Sequence, residues 1–288
     1  MLNIDQDKFK TRYLIIGLPR SGTTVTHVNI MKHPQVSSLT DELRIVPFFN
    51  KGISTFTFGN DSEVEKWKGY LALFDAMTSI KSNDKTTTIG AKCCVSFPFE
   101  AKLVVRTLRK NLPIIKIIFL RRKDLIAQYG SNYKAKKSKV YHSWNRGIEN
   151  LKKNKIRINK LLFTRYVINC LDTMNIIEDL QQSHEVYNCN YEDLIEDPKS
   201  FYNKIFSFLG LSPYEERAEA KKLLPPANEY IKNYSELHRL LEEIKKEHAK
   251  GNTKKHIITF VNTSNYILRF IENINTFFSR HLYMNNNN

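Results

Sequence analysis

Residues 13–24 read YLIIGLPRSGTT, and the order of residue types within them decides the fold. Tyr13 to Ile16 are four apolar or aromatic residues in a row, the pattern of a short buried strand. Gly17, Leu18, Pro19, Arg20, Ser21 and Gly22 cannot continue it, and Thr23-Thr24 open a helical segment. A strand, a Gly/Ser turn and a helix start form an anion cradle, because the first N–H groups of a helix lack intrahelical partners and point at whatever lies before them. The segment nearly spells G-x-x-x-x-G-K-[ST], but Thr23 stands where the lysine that serves the β/γ-phosphates belongs. The expected ligand is a phosphate compound other than a nucleoside triphosphate.

Two further segments carry chemistry. In residues 114–135, IIKIIFLRRKDLIAQYGSNYKA, the run Ile114 to Leu120 is nearly all apolar, as a central parallel strand buried on both faces requires. It ends in Arg121-Arg122, with a helix expected from about Leu125. In open α/β sheets ligands sit beyond the carboxyl ends of strands, where these arginines fall. Residues 189–211, CNYEDLIEDPKSFYNKIFSFLGL, read as a capped amphipathic helix. Asp197 caps it, Pro198 takes its first position and Gly210 ends it, with Phe201, Ile205, Phe208 and Leu209 as the buried stripe.

On these residues the chain resembles the sulfotransferases that use 3′-phosphoadenosine 5′-phosphosulfate (PAPS). Pro19-Arg20-Ser21-Gly22-Thr23-Thr24 is similar to their 5′-phosphosulfate loop. An arginine at a strand end followed by a helix serine is similar to their 3′-phosphate site. Arg122 and Ser131 are the matching pair, and Arg121 is left open as a partner in that work. An arginine fork holds a phosphate bidentately and a hydroxyl adds a neutral donor. The Tyr-Glu-Asp-Leu string beginning at Tyr191 is the third shared motif, and it implies either an adenine-stacking role for Tyr191 or an ordinary strand-end tyrosine. The resemblance covers residues 13–211. It implies an α/β, P-loop NTPase-like three-layer fold with a central parallel sheet flanked by helices. A PAPS-binding core over 1–211 would carry a helical C-terminal extension, 212–288, packed on the same domain.

The resemblance also implies a mechanism. The transferred sulfuryl group carries less charge than a phosphoryl group, so positioned cations and N–H donors are expected to suffice, with no metal. Arg20 is expected to support the bridging oxygen, with Ser21, Thr23, Thr24 and the loop backbone beside it. Cytosolic relatives place a base histidine soon after a lysine in the third strand. Here that string is Gly90-Ala91-Lys92-Cys93-Cys94, without histidine. The pattern is closer to bacterial carbohydrate sulfotransferases of the trehalose and nodulation-factor type, which place a glutamate after the second strand. Glu42 is the match and the expected base, with Asp41 its rival, and Lys92 is expected to reach the cleft. His142, Trp144, Phe48, Phe49 and Trp67 are candidates for an aromatic wall against a sugar ring. Lys250, Gly251, Lys254 and Lys255 are similar to a basic segment over the 3′-phosphate.

Composition sets outer bounds. The chain has 288 residues, with 45 basic and 29 acidic side chains and a net charge of +16. The lysines are spread over almost every segment, so the charge suits an anionic donor and an anionic acceptor without marking a nucleic-acid surface. No run of about twenty apolar residues is present, so no membrane span is expected. The opening MLNIDQDKFKTRY lacks the apolar core of a signal peptide. Cys93, Cys94, Cys170 and Cys189 show neither zinc nor disulfide spacing, which suits reduced thiols and a cytoplasmic location.

Strands are expected at 13–17, 36–39, 88–95, 114–120 and 185–190, and helices at about 21–32, 63–80, 99–110 and 123–137. Residues 50–62 read as a loop, 141–183 as one or two helices, and 214–248 as charged helix. The aromatic helix expected at 257–283 would serve as a homodimer seam or a core element. The function expected is sulfuryl transfer from PAPS, leaving adenosine 3′,5′-bisphosphate, to a hydroxyl of a carbohydrate or glycolipid. A small-molecule kinase and a non-catalytic basic protein binding nucleic acid or anionic lipid are the alternatives.

Overall fold

The computed structural model describes residues 9–47, 54–57, 66–68, 83–111, 114–138, 155–215 and 224–251. Phe48, Phe49, His142, Trp144, Lys254, Lys255 and the expected 257–283 helix lie outside them. Five parallel strands form the centre of the sheet: β1 (Thr11–Gly17), β2 (Val36–Pro47), β5 (Thr88–Cys94), β6 (Lys116–Arg121) and β7 (Val186–Asn190). Two short antiparallel strands, β3 (Ser54–Thr57) and β4 (Lys66–Lys68), extend the β2 edge. The sheet order is β4-β3-β2-β5-β1-β6-β7. The connections reverse direction at β1, so the crevice beyond its carboxyl end is where this topology places a ligand.

Both faces of β1 are buried, which makes its sequence continuously apolar rather than alternating. Leu14 and Ile16 join Ile89, Ala91, Cys93, Ile117 and Phe119 under helices α2 (Pro98–Asn111) and α4 (Lys160–Glu178). Tyr13 and Ile15 join Ile118 and Leu120 on the other side, under α1 (Thr23–Ile30) and α6 (Pro198–Leu209). The result is the three-layer α/β architecture of the P-loop NTPase-like class. A third cluster joins Leu18 and α3 (Leu125–Ser138) to α4, to α7 (Ala227–Tyr230) and to α8 (Tyr234–Ala249).

Local signals act as their chemistry predicts around α6. Asp197 Oδ1 accepts from Ser200 N at 2.9 Å, Pro198 fills the first turn and Gly210 ends the helix in the left-handed region. The buried stripe differs from the expected one: Phe208 leaves it, and Tyr202 and Phe206 join it. Phe206 and Tyr202 are buried, whereas Phe208 is only partly so and packs beside Tyr187 and Lys116. A short helix, α5 (Tyr191–Glu196), precedes this motif.

Elsewhere the sequence reading needs correction. β2 runs on to Pro47 instead of stopping at 39, because the β-branched residues Ile45 and Val46 sustain it past an irregularity. The expected loop at 50–62 contains β3, and the expected helix at 63–80 contains β4. Phe56 and Trp67 stand directly opposite each other there, a pairing that favours a hairpin over a helical turn. The 214–248 stretch is not one helix: 211–215 and 224–226 are irregular, and the helices described there are Ala227–Tyr230, just after Pro225-Pro226, and Tyr234–Ala249.

Gly90 is required by close approach. A Cβ there would lie 2.1 Å from the Tyr13 ring, which is fully buried between the sheet and α1. Gly90→Ala is expected to cost about 1–3 kcal/mol by overpacking, read as a lowered Tm; an unchanged Tm would show that the Tyr13 ring yields freely.

Candidate functional site

The loop between β1 and α1 is held open by two left-handed residues. Arg20 has φ 68°, a conformation costing a non-glycine residue about 1–2 kcal/mol. Gly22, the N-cap of α1, has φ 92° and no side-chain cap bond. The loop is braced from inside: Ser21 Oγ donates to Leu18 O at 2.7 Å and Ser21 N to the same carbonyl at 3.2 Å. Gln128 Nε2, buried on α3, donates to Pro19 O at 2.8 Å. The first N–H groups of α1 therefore face the end of β1 with no capping side chain, at the positive end of the helix dipole.

Arg122 follows β6 directly. Its Nη1 donates to Arg20 O at 3.2 Å, and its guanidinium lies 4.7 Å from the centre of the Tyr191 ring. The edge of that ring packs on Gly22, where an added Cβ would meet Tyr191 Cδ2 at 2.7 Å. Burial raises the Tyr191 phenol's pKa, opposed by the nearby Arg122 charge. Arg122 Nε is buried with no hydrogen-bond partner among the described residues. On α3, Ser131 Oγ accepts from Arg20 Nε at 3.1 Å. The loop, Arg122, Ser131 and Tyr191 thus converge. Arg121 turns the other way, pairing with Glu178 at the end of α4 and lying over Phe119.

On the opposite flank β5 presents Lys92 and Cys94 to α1. Lys92, 5 % exposed, donates from Nζ to Thr24 Oγ1 at 3.1 Å, and Cys94 Sγ lies 3.3 Å from Thr23 Oγ1. This sets a buried ammonium beside the first turn of α1. Glu42 stands in register with Lys92 across the β2–β5 pair, and Asp41 falls in the irregular stretch just before it. Trp67 lies on β4, three strands out from β5. Lys250 and Gly251 close the last described turn, after α8.

Sequence reasoning did not single out Gln128 or His27. Gln128 had a signal in its spacing, three residues before Ser131 on one helix, hence one face. His27 lies one turn into α1, fully buried, with Nε2 at 2.6 Å from Leu39 O. Burial, with a smaller contribution from the Lys92 charge, pushes its pKa down to about 4.

A profile of the sulfotransferase family matches residues 13–216. The chain belongs to the sulfotransferase family. No curated protein matches it in sequence. Among solved structures it is similar to a sulfotransferase from Alicyclobacillus acidocaldarius, at 12 % identity and TM-score 0.48, covering 86 % of this chain and 96 % of that one. It is also similar to a mouse sulfotransferase complexed with PAP, at 13 % identity and TM-score 0.44, covering 71 % and 60 %. A sulfotransferase domain from the curacin biosynthetic pathway gives 14 % identity and TM-score 0.41, covering 72 % and 76 %. Membership sets aside the kinase and non-catalytic alternatives and makes this sulfotransferase a PAPS-dependent enzyme. No helix among the described residues is long and apolar enough to cross a membrane.

The buried neutral His27 fixes an acid limit for the sulfotransferase. Its folded pKa of about 4 lies below the ordinary value of 6.5. Between these values the unfolded chain binds a proton that the folded chain does not, so stability falls as pH drops through that window. The full loss for this group is about 3 kcal/mol. His27→Gln should flatten the dependence of unfolding free energy on pH between 6.5 and 4, and an unchanged slope would assign acid sensitivity elsewhere.

Proposed function

We propose that this enzyme transfers the sulfuryl group of PAPS to a hydroxyl of a carbohydrate or the sugar of a glycolipid. One observation carries the donor assignment: the buried Nε of Arg122, without a partner among the described residues, stands beside a loop whose helix N-terminus has no side-chain cap. Both are donor groups in want of an anion. The residues fit a 3′,5′-bisphosphorylated adenosine, with Pro19 to Thr24 at the 5′ end and Arg122 and Ser131 at the 3′-phosphate. Tyr191 takes the adenine side. Arg121, engaged with Glu178, holds the strand end and the charge around Arg122.

PAPS supplies an activated sulfuryl group and a bisphosphate leaving group. The chain's own residues supply the rest. The N–H groups at the start of α1, with the Ser21, Thr23 and Thr24 hydroxyls, hold charge that grows toward the leaving phosphate. Arg20 supports the bridging oxygen, and its bond to Ser131 ties that end of the donor to the 3′ pocket. Lys92, bonded to Thr24, is the second cation at the reacting end. Glu42, in register with Lys92, takes the acceptor hydroxyl's proton. The free thiols, three of them buried, suit a reducing cytoplasm.

The acceptor follows from the same base. A glutamate at this place fits the pattern of the carbohydrate-modifying relatives, where a positioned carboxylate takes the sugar hydroxyl's proton as that oxygen attacks. The test is transfer of radiolabelled sulfate from PAPS to a panel of trehalose, glucose, N-acetylglucosamine oligosaccharides and p-nitrophenol. Labelled sugar is expected; label on the phenol alone would overturn the carbohydrate reading. Glu42→Gln should lower kcat by about 10²-fold or more while leaving bisphosphate affinity intact. Arg122→Ala should weaken adenosine 3′,5′-bisphosphate by about 10–100-fold and 5′-AMP hardly at all. Equal losses for both nucleotides would remove Arg122 from the 3′-phosphate.

A further inference from the structure

We infer that His27 is a positioning residue, which anchors the irregular stretch of β2 and so sets where Glu42 stands relative to the donor loop. This rests on the proposed role of Glu42 as base. The register of β2 against β5 runs in step from Val36↔Thr88 to Ser38↔Gly90, then resumes at Glu42↔Lys92. Three residues, Leu39, Thr40 and Asp41, therefore oppose Ala91 alone. A bulge of this size interrupts the ladder and needs another source of hydrogen bonds to hold one shape.

His27 supplies one. Leu39 O can only accept, so the 2.6 Å contact fixes the hydrogen on Nε2. Ser38 Oγ lies 3.3 Å from the same nitrogen and itself donates to Gly90 O, which closes the near side of the bulge. The imidazole is fully buried, and its Nδ1 has no partner among the described residues. A buried bare nitrogen is tolerated at a cost, and apolar packing alone does not call for it. His27 also sits one turn below Thr23 and Thr24, whose hydroxyls line the donor loop. The same helix turn thus joins the anion cradle, Lys92 through Thr24, and the bulge that ends at Glu42. Loss of the anchor would leave the donor pocket whole and let the base wander.

Exchange, affinity and turnover of His27 variants test this. Hydrogen exchange across residues 36–47 reads the anchor whatever the acceptor is. His27→Leu should raise exchange there at least tenfold, while the affinity for adenosine 3′,5′-bisphosphate stays within twofold of wild type. With PAPS and the sugar that accepts best, kcat should fall at least tenfold. His27→Gln carries an amide N–H near the position of Nε2 and should restore both readouts; the shorter His27→Asn should not. In a Glu42→Gln background, His27→Leu should lower kcat little further, because one residue acts through the other. Unchanged exchange in His27→Leu, equal behaviour of the Gln and Asn variants, or additive losses in the double variant would each overturn the inference. Normal turnover in Glu42→Gln would instead count against Glu42 as base, and the exchange result would still decide the anchor.

Discussion

The first turn of α1 has more hydrogen-bond donors than the described residues give it acceptors, and the rest of the site is arranged around that excess. A helix that starts with Ser, Asp or Asn at its N-cap closes its own end. This one starts with Gly22, in a conformation that only glycine adopts without strain, behind an arginine forced into the same left-handed region. The cost is met by bonds that do not use the cradle itself: Ser21 back to Leu18, Gln128 to Pro19, and Arg122 to the carbonyl of Arg20. The donor groups stay directed outward at the point where the sheet's connections reverse.

Two consequences follow for selectivity. Lacking the loop lysine of triphosphate-binding relatives, the site draws its cations from elsewhere in the fold: Arg122 from the end of β6 and Lys92 from β5. These lie on opposite flanks of β1, an arrangement that suits the proposed ligand, with anionic groups at two ends. Tyr191 joins the Arg122 flank to the loop, since its ring rests on Gly22 and carries the Arg122 guanidinium on its face.

Much of this was legible in the sequence because it depends on local chemistry. The strand–turn–helix at 13–24, Arg122 at a strand end, and the Asp197-Pro198…Gly210 helix are each written in adjacent residues. What was hidden depends on register. No one-dimensional pattern shows that Leu39 to Asp41 oppose a single residue, and so neither the reach of β2 nor the use of His27 could be read. Lys66-Trp67-Lys68 is too short for its period of two to outweigh a longer helical spacing, and the hairpin emerges only when Phe56 stands across from Trp67. Arg121 and Arg122 are indistinguishable in sequence; Glu178, brought up by α4, separates them.

The central claim is that one pocket joins the loop at 19–24 to Arg122 and Ser131 around a nucleotide phosphorylated at both the 3′ and 5′ positions. Calorimetric titration of the protein with adenosine 3′,5′-bisphosphate, against 5′-AMP and ATP and without metal, tests it most directly. The account predicts that the bisphosphate binds at least tenfold more tightly than either control. ATP binding as well or better, or no binding at all, would contradict it.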